Sequence, residues 1–184
     1  YKRNNNNFNT NLGLEFFIDE NTSITNSIVF RNSTGGTRTE VDFNNYNAER
    51  ILSLSRERIS QESQTDDNFQ YSMNFQKKFK KDGHLLTADY QYSTGDEVED
   101  TDISETILQD NSFLPSEQTI TTENQKNQLF QIDYVLPFGS ENQSQFELRY
   151  RGTFNEFTTA FDFSVENTSG NFISDPNFSN TLFY

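Results

Sequence analysis

The densest group of potential ligands is the run Gly95-Asp-Glu-Val-Glu-Asp-Thr-Asp102, where Asp96, Glu97, Glu99, Asp100 and Asp102 crowd together and Glu105 and Asp110 follow. Hard cations such as calcium favour clustered carboxylate oxygens, although this spacing is not that of the helix-flanked calcium loop. A solvated acidic loop is the competing reading. Lys77, Lys78, Lys80 and Lys81 form the opposite kind of cluster. It suits either contact with phospholipid headgroups or a solubilising turn. His84 is the sole histidine, which supports neither a multi-histidine metal centre nor a Ser-His-Asp triad. Gly35-Gly36 stands alone in polar sequence, so no phosphate-cradling loop is present. Carboxylate pairs abound in so acidic a chain and mean little without a pocket. No enzymatic activity and no cofactor are expected.

The elements that would position these groups are constrained by an unusual composition. Only 32% of the 184 residues are apolar, with no Trp and no Cys, yet 15% are aromatic, as 19 Phe and 8 Tyr. That is too few apolar residues for an ordinary soluble core and too many aromatics for a disordered chain. Strands that show lipid one face and water the other need only every second residue apolar, which reconciles the aromatics with a mean hydropathy of -0.85. No stretch approaches the roughly 20 apolar residues of a membrane-spanning helix. Tyr1-Lys2-Arg3-Asn4 is not followed by a signal-peptide core, so a leader was removed or the chain begins inside a longer protein. Without Cys there is no disulfide framework. A net charge of -14 excludes a nucleic-acid partner, which would need clustered Lys and Arg.

Alternation of apolar and polar residues over about ten positions, the length of a tilted strand crossing a bilayer, predicts strands near 7–18, 23–32, 67–79, 84–93, 127–137 and 144–157. The residues expected to face lipid are Phe8, Leu12, Leu14, Phe16, Ile28, Phe30, Phe69, Tyr71, Phe75, Tyr90, Phe130, Ile132, Tyr134, Phe146, Leu148 and Tyr150. Asn26 interrupts the second segment, and Arg149 and Arg151 would face a watery lumen. Short turns are expected at 19–22, 80–83 and 138–142, and long polar loops near 33–66, 94–125 and 158–180. Alternating short turns and long loops are what outer-membrane barrels show, with the long loops extracellular. The expected fold is therefore all-β, an antiparallel up-and-down transmembrane β-barrel segment of six strands plus the start of a seventh, as a single segment over 1–184. A secreted soluble β-sandwich would share the alternation; aromatics near both ends of the apolar faces favour the barrel.

The segment Phe69-Gln-Tyr-Ser-Met-Asn-Phe-Gln-Lys-Lys-Phe-Lys-Lys-Asp-Gly-His-Leu-Leu-Thr-Ala-Asp-Tyr-Gln-Tyr-Ser93, followed by Gln131-Ile-Asp-Tyr-Val-Leu-Pro137, resembles the outer-membrane β-barrel domain of TonB-dependent receptor-like proteins common in Bacteroidota. The resemblance spans most of the chain as pattern, and it places no catalytic or ligand residue. It implies a larger barrel in the outer membrane of a Gram-negative cell, with a plug domain, an N-terminal energy-coupling segment and a role in nutrient uptake. The partners expected are outer-membrane lipid, the remaining barrel strands and possible plug, and other outer-membrane or surface proteins. Six strands and part of another fall short of the eight of the smallest such barrel, so the chain is expected to be a fragment or the ordered part of a longer protein. A non-transporting barrel that scaffolds other surface proteins is the alternative function.

Overall fold

The computed structural model describes residues 1–139 and 144–184. Among the described residues the chain forms nine strands: β1 (Lys2–Asp19), β2 (Thr22–Tyr46), β3 (Leu52–Lys78), β4 (Leu85–Ile107), β5 (Ser112–Phe113), β6 (Glu117–Phe138), β7 (Ser144–Glu166), β8 (Phe172–Ser174) and β9 (Asn180–Phe183). They make one antiparallel sheet in the order β1-β2-β3-β4-β6-β7-β8, with β5 on β4 and β9 on β7. Consecutive long strands lie side by side, the up-and-down arrangement that hairpin connections dictate. Among the described residues no Ala, Val, Ile, Leu, Met, Phe or Tyr side chain is buried. A sandwich would bury its alternating residues between two layers; this chain is one layer with both faces open.

The short connections follow from turn chemistry. Between β1 and β2, the Asp19 carboxylate accepts from the Asn21 N–H at 2.8 Å and from the Thr22 hydroxyl at 2.9 Å. Ile18 is the extra residue of a bulge, since the register steps between Phe17 and Asp19. Between β3 and β4, the Phe79 N–H bonds the His84 carbonyl and the His84 N–H bonds the Lys81 carbonyl. Gly83 closes that turn at φ 74°, where a side chain is strained, and an added Cβ would also press on Pro137 at 3.2 Å. Of the third turn expected, at 138–142, residues 140–142 lie outside the described residues.

The expected long loops at 33–66, 94–125 and 158–180 are corrected by the structure. Most of those residues continue the strands, and the connections shrink to 47–51, 108–116 and 167–179, the last two containing β5 and β8. β3 alone has 27 residues, about 90 Å at ~3.3 Å per residue. The physical reason lies in solvent. Where both faces of a sheet meet water nothing selects apolar residues at period two, yet the ladder set lower down continues in register. Thr34↔Thr65, Thr37↔Glu62 and Glu99↔Thr121 are such polar pairs.

Two of the far connections use one device. Asn47 Oδ1 accepts from the N–H groups of Glu49 and Ile51, and Asn167 Oδ1 accepts from those of Ser169 and Asn171. The fourth position of each turn is left-handed, Gly170 at φ 79° and Arg50 at φ 60°.

Candidate functional site

Register decides what each face of this sheet can do. Leu12 pairs with Ile28, Ile28 with Tyr71 and Tyr71 with Tyr92; Phe16 pairs with Ile24, Ile24 with Phe75, Phe75 with Ala88, Ala88 with Ile132 and Ile132 with Tyr150. Directly paired residues point to the same side of a sheet. All the residues expected to face lipid therefore lie on one face, in a continuous band from Phe8 on β1 to Phe146, Leu148 and Tyr150 on β7. Their exposure is high where neighbours are few, as at Leu12 (58%), Phe16 (56%) and Tyr150 (63%).

The band slopes across the sheet. Its upper limit passes from Phe8 through Phe30, Phe69, Tyr92 and Phe130 to Phe154, and its lower limit from Phe16 through Ile24, Phe75, Leu86 and Leu136 to Phe146. Followed through the register, both limits descend by about four residues from β1 to β7.

Asn26 sits inside this band between Leu14 and Met73. It is not left bare, because the Tyr71 hydroxyl donates to Asn26 Oδ1 at 2.7 Å. In an apolar surrounding an unpaired amide is costly, so the phenol converts a polar defect into a satisfied pair. The Tyr71 ring also lies 6.4 Å from that of Tyr90.

The opposite face is polar along the same stretch. One row across it reads Glu15, Thr25, Asn74, Asp89, Gln131, Arg151. Asn74 donates to Asp89 at 2.6 Å, Gln131 donates to Asp133 at 2.6 Å, and Arg149 pairs with Asp133. A shallow hollow of about 300 Å³ lies over Ser72, Asn74, Asp89, Gln91, Gln131 and Arg151. Neighbouring polar side chains bond mostly to one another, leaving a hydrophilic wall.

Above the band Asp and Glu stand on both faces of β4, and here the acidic run is corrected as a metal candidate. It is strand, not loop, so alternation puts Asp96, Asp100 and Asp102 on the face of the apolar band and Glu97 and Glu99 on the other. Among the described residues no group of three or more His, Cys, Asp or Glu converges to hold a metal. On the polar face, burial and the nearby carboxylates of Glu62, Glu97 and Glu123 push the Glu99 carboxyl above its ordinary value. Glu97 is bonded by Gln64 Nε2 at 2.6 Å. Higher still, Glu105 pairs with Arg56 at 3.1 Å and Arg58 at 3.6 Å, and the Arg56 guanidinium lies 5.7 Å from the centre of the Phe43 ring.

An apolar band of barrel-spanning height, a polar opposite face and consecutive antiparallel hairpins are shared by many barrels; the family is decided by sequence. Residues 77–184 match the model of the outer membrane protein beta-barrel family. The chain belongs to that family. Among curated proteins, no sequence matches it. As an outer-membrane β-barrel protein, the chain is placed in the bacterial outer membrane, where a barrel sits in lipid. Its sheet is not closed over the described residues: β1 has no second neighbour, and β7 is covered by β8 and β9 only at its upper end.

Sequence reasoning missed two features of this barrel wall. The Tyr71–Asn26 bond joins residues 45 apart, and the only signal available was an unexplained Asn in an apolar set. The tall extensions were missed because Ser, Thr, Asn and Glu read equally well as loop.

Proposed function

We propose that this chain forms part of the wall of a TonB-dependent receptor-like transporter that takes up a nutrient too large to diffuse through a porin. The band from Phe8 to Tyr150 faces lipid, the row from Glu15 to Arg151 faces the lumen, the short turns at 19–22 and 79–84 lie in the periplasm, and the tall strand extensions stand outside the cell. The observation that carries this reading is the polar face of β3, β4 and β6, where Gln70 leads to Asn68, Asp66 and Glu62, Gln91 to Ser93, Glu97 and Glu99, and Asn127 to Gln125 and Glu123, so that a hydrophilic wall on which a polar solute can descend runs from the membrane band into the extensions. The transporter rests also on the resemblance to receptor-like barrels, whose plug and energy-coupling segments would supply gating and drive. No catalysis is assigned to the chain.

A second reading, a non-transporting barrel that scaffolds other surface proteins, draws on the far connections. Tyr46 (62%), Ile51 (62%) and Phe113 (80%) expose large apolar surface there, the kind of surface that marks partner contacts. Uptake measurements separate the two. Deleting the gene should abolish uptake of one nutrient class, and Ser72→Trp on the polar face should reduce that uptake in protein that still folds, judged by heat-modifiable migration. Unchanged uptake across a nutrient panel, with loss of a co-purifying surface protein, would establish the scaffold instead. Protease added to intact cells should cut at 108–116 and spare Lys80 and Lys81; the reverse would invert the orientation.

A further inference from the structure

We infer that the β3–β4 turn is a seat for anionic phospholipid headgroups of the periplasmic leaflet, an inference that rests on the orientation proposed above. Lys77 points to the apolar face one pair below Phe75, next to Thr22 on β2 and Leu86 on β4, and so marks the lower edge of the band. Its ammonium is spoken for by Asp19 at 3.0 Å and by the Thr22 hydroxyl. Lys80 and Lys81 lie just beyond, exposed, with no ion pair to either among the described residues. In a chain of net charge -14, a basic step at the edge of an apolar band is a strong local contrast.

The step is also held in place. The Phe79 ring stacks on His84 at 4.0 Å, His84 meets Tyr134 edge-on at 5.3 Å, and His84 Nε2 lies 3.0 Å from the Tyr134 hydroxyl. Tyr134 belongs to the apolar face, so the stack ties the turn to the membrane wall at the depth where aromatic rings meet headgroups. Positive charge fixed there lies level with lipid phosphates, and Asp82, the turn's own carboxylate, leaves an excess of positive charge. An anionic glycerophospholipid, with acyl chains against Phe75 and Leu86 and its phosphate beside Lys80 and Lys81, fits both halves of the surface.

The full-length protein, folded in phosphatidylcholine vesicles containing phosphatidylglycerol as a minority component, is extracted into mild detergent and its retained lipids are counted by native mass spectrometry. Wild type should retain phosphatidylglycerol above its bilayer share, and the double variant K80Q/K81Q should retain about fivefold less. K80R/K81R should keep the preference, as should K126Q at the upper edge, and raised salt should weaken it. Equal retention by wild type and a folded K80Q/K81Q, or no preference in wild type, overturns the inference. If K80Q/K81Q does not fold, the wild-type preference and its salt dependence decide. Phosphatidylglycerol in both leaflets makes this result independent of orientation, so an inverted orientation, seen by surface protease, fails separately from an absent headgroup seat.

Discussion

Replacing Tyr71 with Phe removes one hydroxyl and nothing else, and the consequence depends on what surrounds Asn26. The bond is 2.7 Å long and joins two residues of the apolar band, with Leu14 and Met73 paired to Asn26 on either side. In water the lost bond would be replaced by solvent and the change would be near neutral. In hydrocarbon no replacement exists, and coupling between polar side chains in membrane proteins averages about 0.6 kcal/mol and reaches ~1.7. An orphaned amide raises the cost toward the upper figure, and the Phe ring, being more apolar, returns part of it. Tyr71→Phe should therefore destabilise by about 1 kcal/mol. In an Asn26→Leu background the same change should cost nothing or stabilise slightly. The measurement is a double-mutant cycle on full-length protein folded into vesicles and titrated with urea. Tyr90→Phe serves as control, because among the described residues its hydroxyl has only a long 3.4 Å contact with Gln128. A coupling near zero would mean that water reaches Asn26, and the face would not be in lipid.

The alternation itself predicts that Ile132→Arg costs roughly 2–4 kcal/mol while Gln131→Arg, one step along β6, costs little; equal costs in the same titration would show both faces packed. Asp19 is held at about 2 by its bond from Lys77, helped by Asn21 and Thr22. A depressed carboxyl stabilises above its unfolded value and loses that contribution as pH falls. Thus the stability gap between wild type and Asp19→Asn should shrink between about pH 4 and pH 2, and a gap that widened on acidification would reverse the assignment. Arg50→Gly should raise stability by about 0.5–1 kcal/mol, because Arg50 occupies the left-handed position that Gly170 fills in the sister turn; a loss would mean that the Arg side chain contributes more than its backbone costs.

What the sequence disclosed tracks where the solvent changes. On the reading proposed above, one face of the band meets hydrocarbon and the other water, so Phe69, Tyr71, Met73 and Phe75 separate from Gln70, Ser72, Asn74 and Gln76, and strand type and facing are written in period two. Above the band that difference vanishes, and Asp96, Glu97, Glu99 and Asp100 look like a solvated loop although they extend β4. The same blindness produced the cation candidate: residues neighbouring in sequence are brought together by a loop but divided by a strand. The turns were readable because Asp19, Gly83 and their neighbours act locally. The Tyr71–Asn26 and His84–Tyr134 contacts were not, because they depend on register between strands.

In the orientation proposed above, the slope of the apolar band carries a consequence for the cell surface. Both limits fall about four residues over five strand spacings, and with ~3.4 Å per residue and ~4.8 Å between strands this is a lean of about 30° from the membrane normal. β2 runs on from Phe30, at the top of the band, to Tyr46, about 50 Å along the strand, and at that lean its tip is carried roughly 25 Å around the circumference. Each strand takes up about 5.5 Å of circumference, so the 47–51 connection overhangs wall some five strands away. The rim above any part of the lumen is thus built by hairpins rooted elsewhere, and a substitution at the base of one hairpin would be felt over the mouth of a distant one.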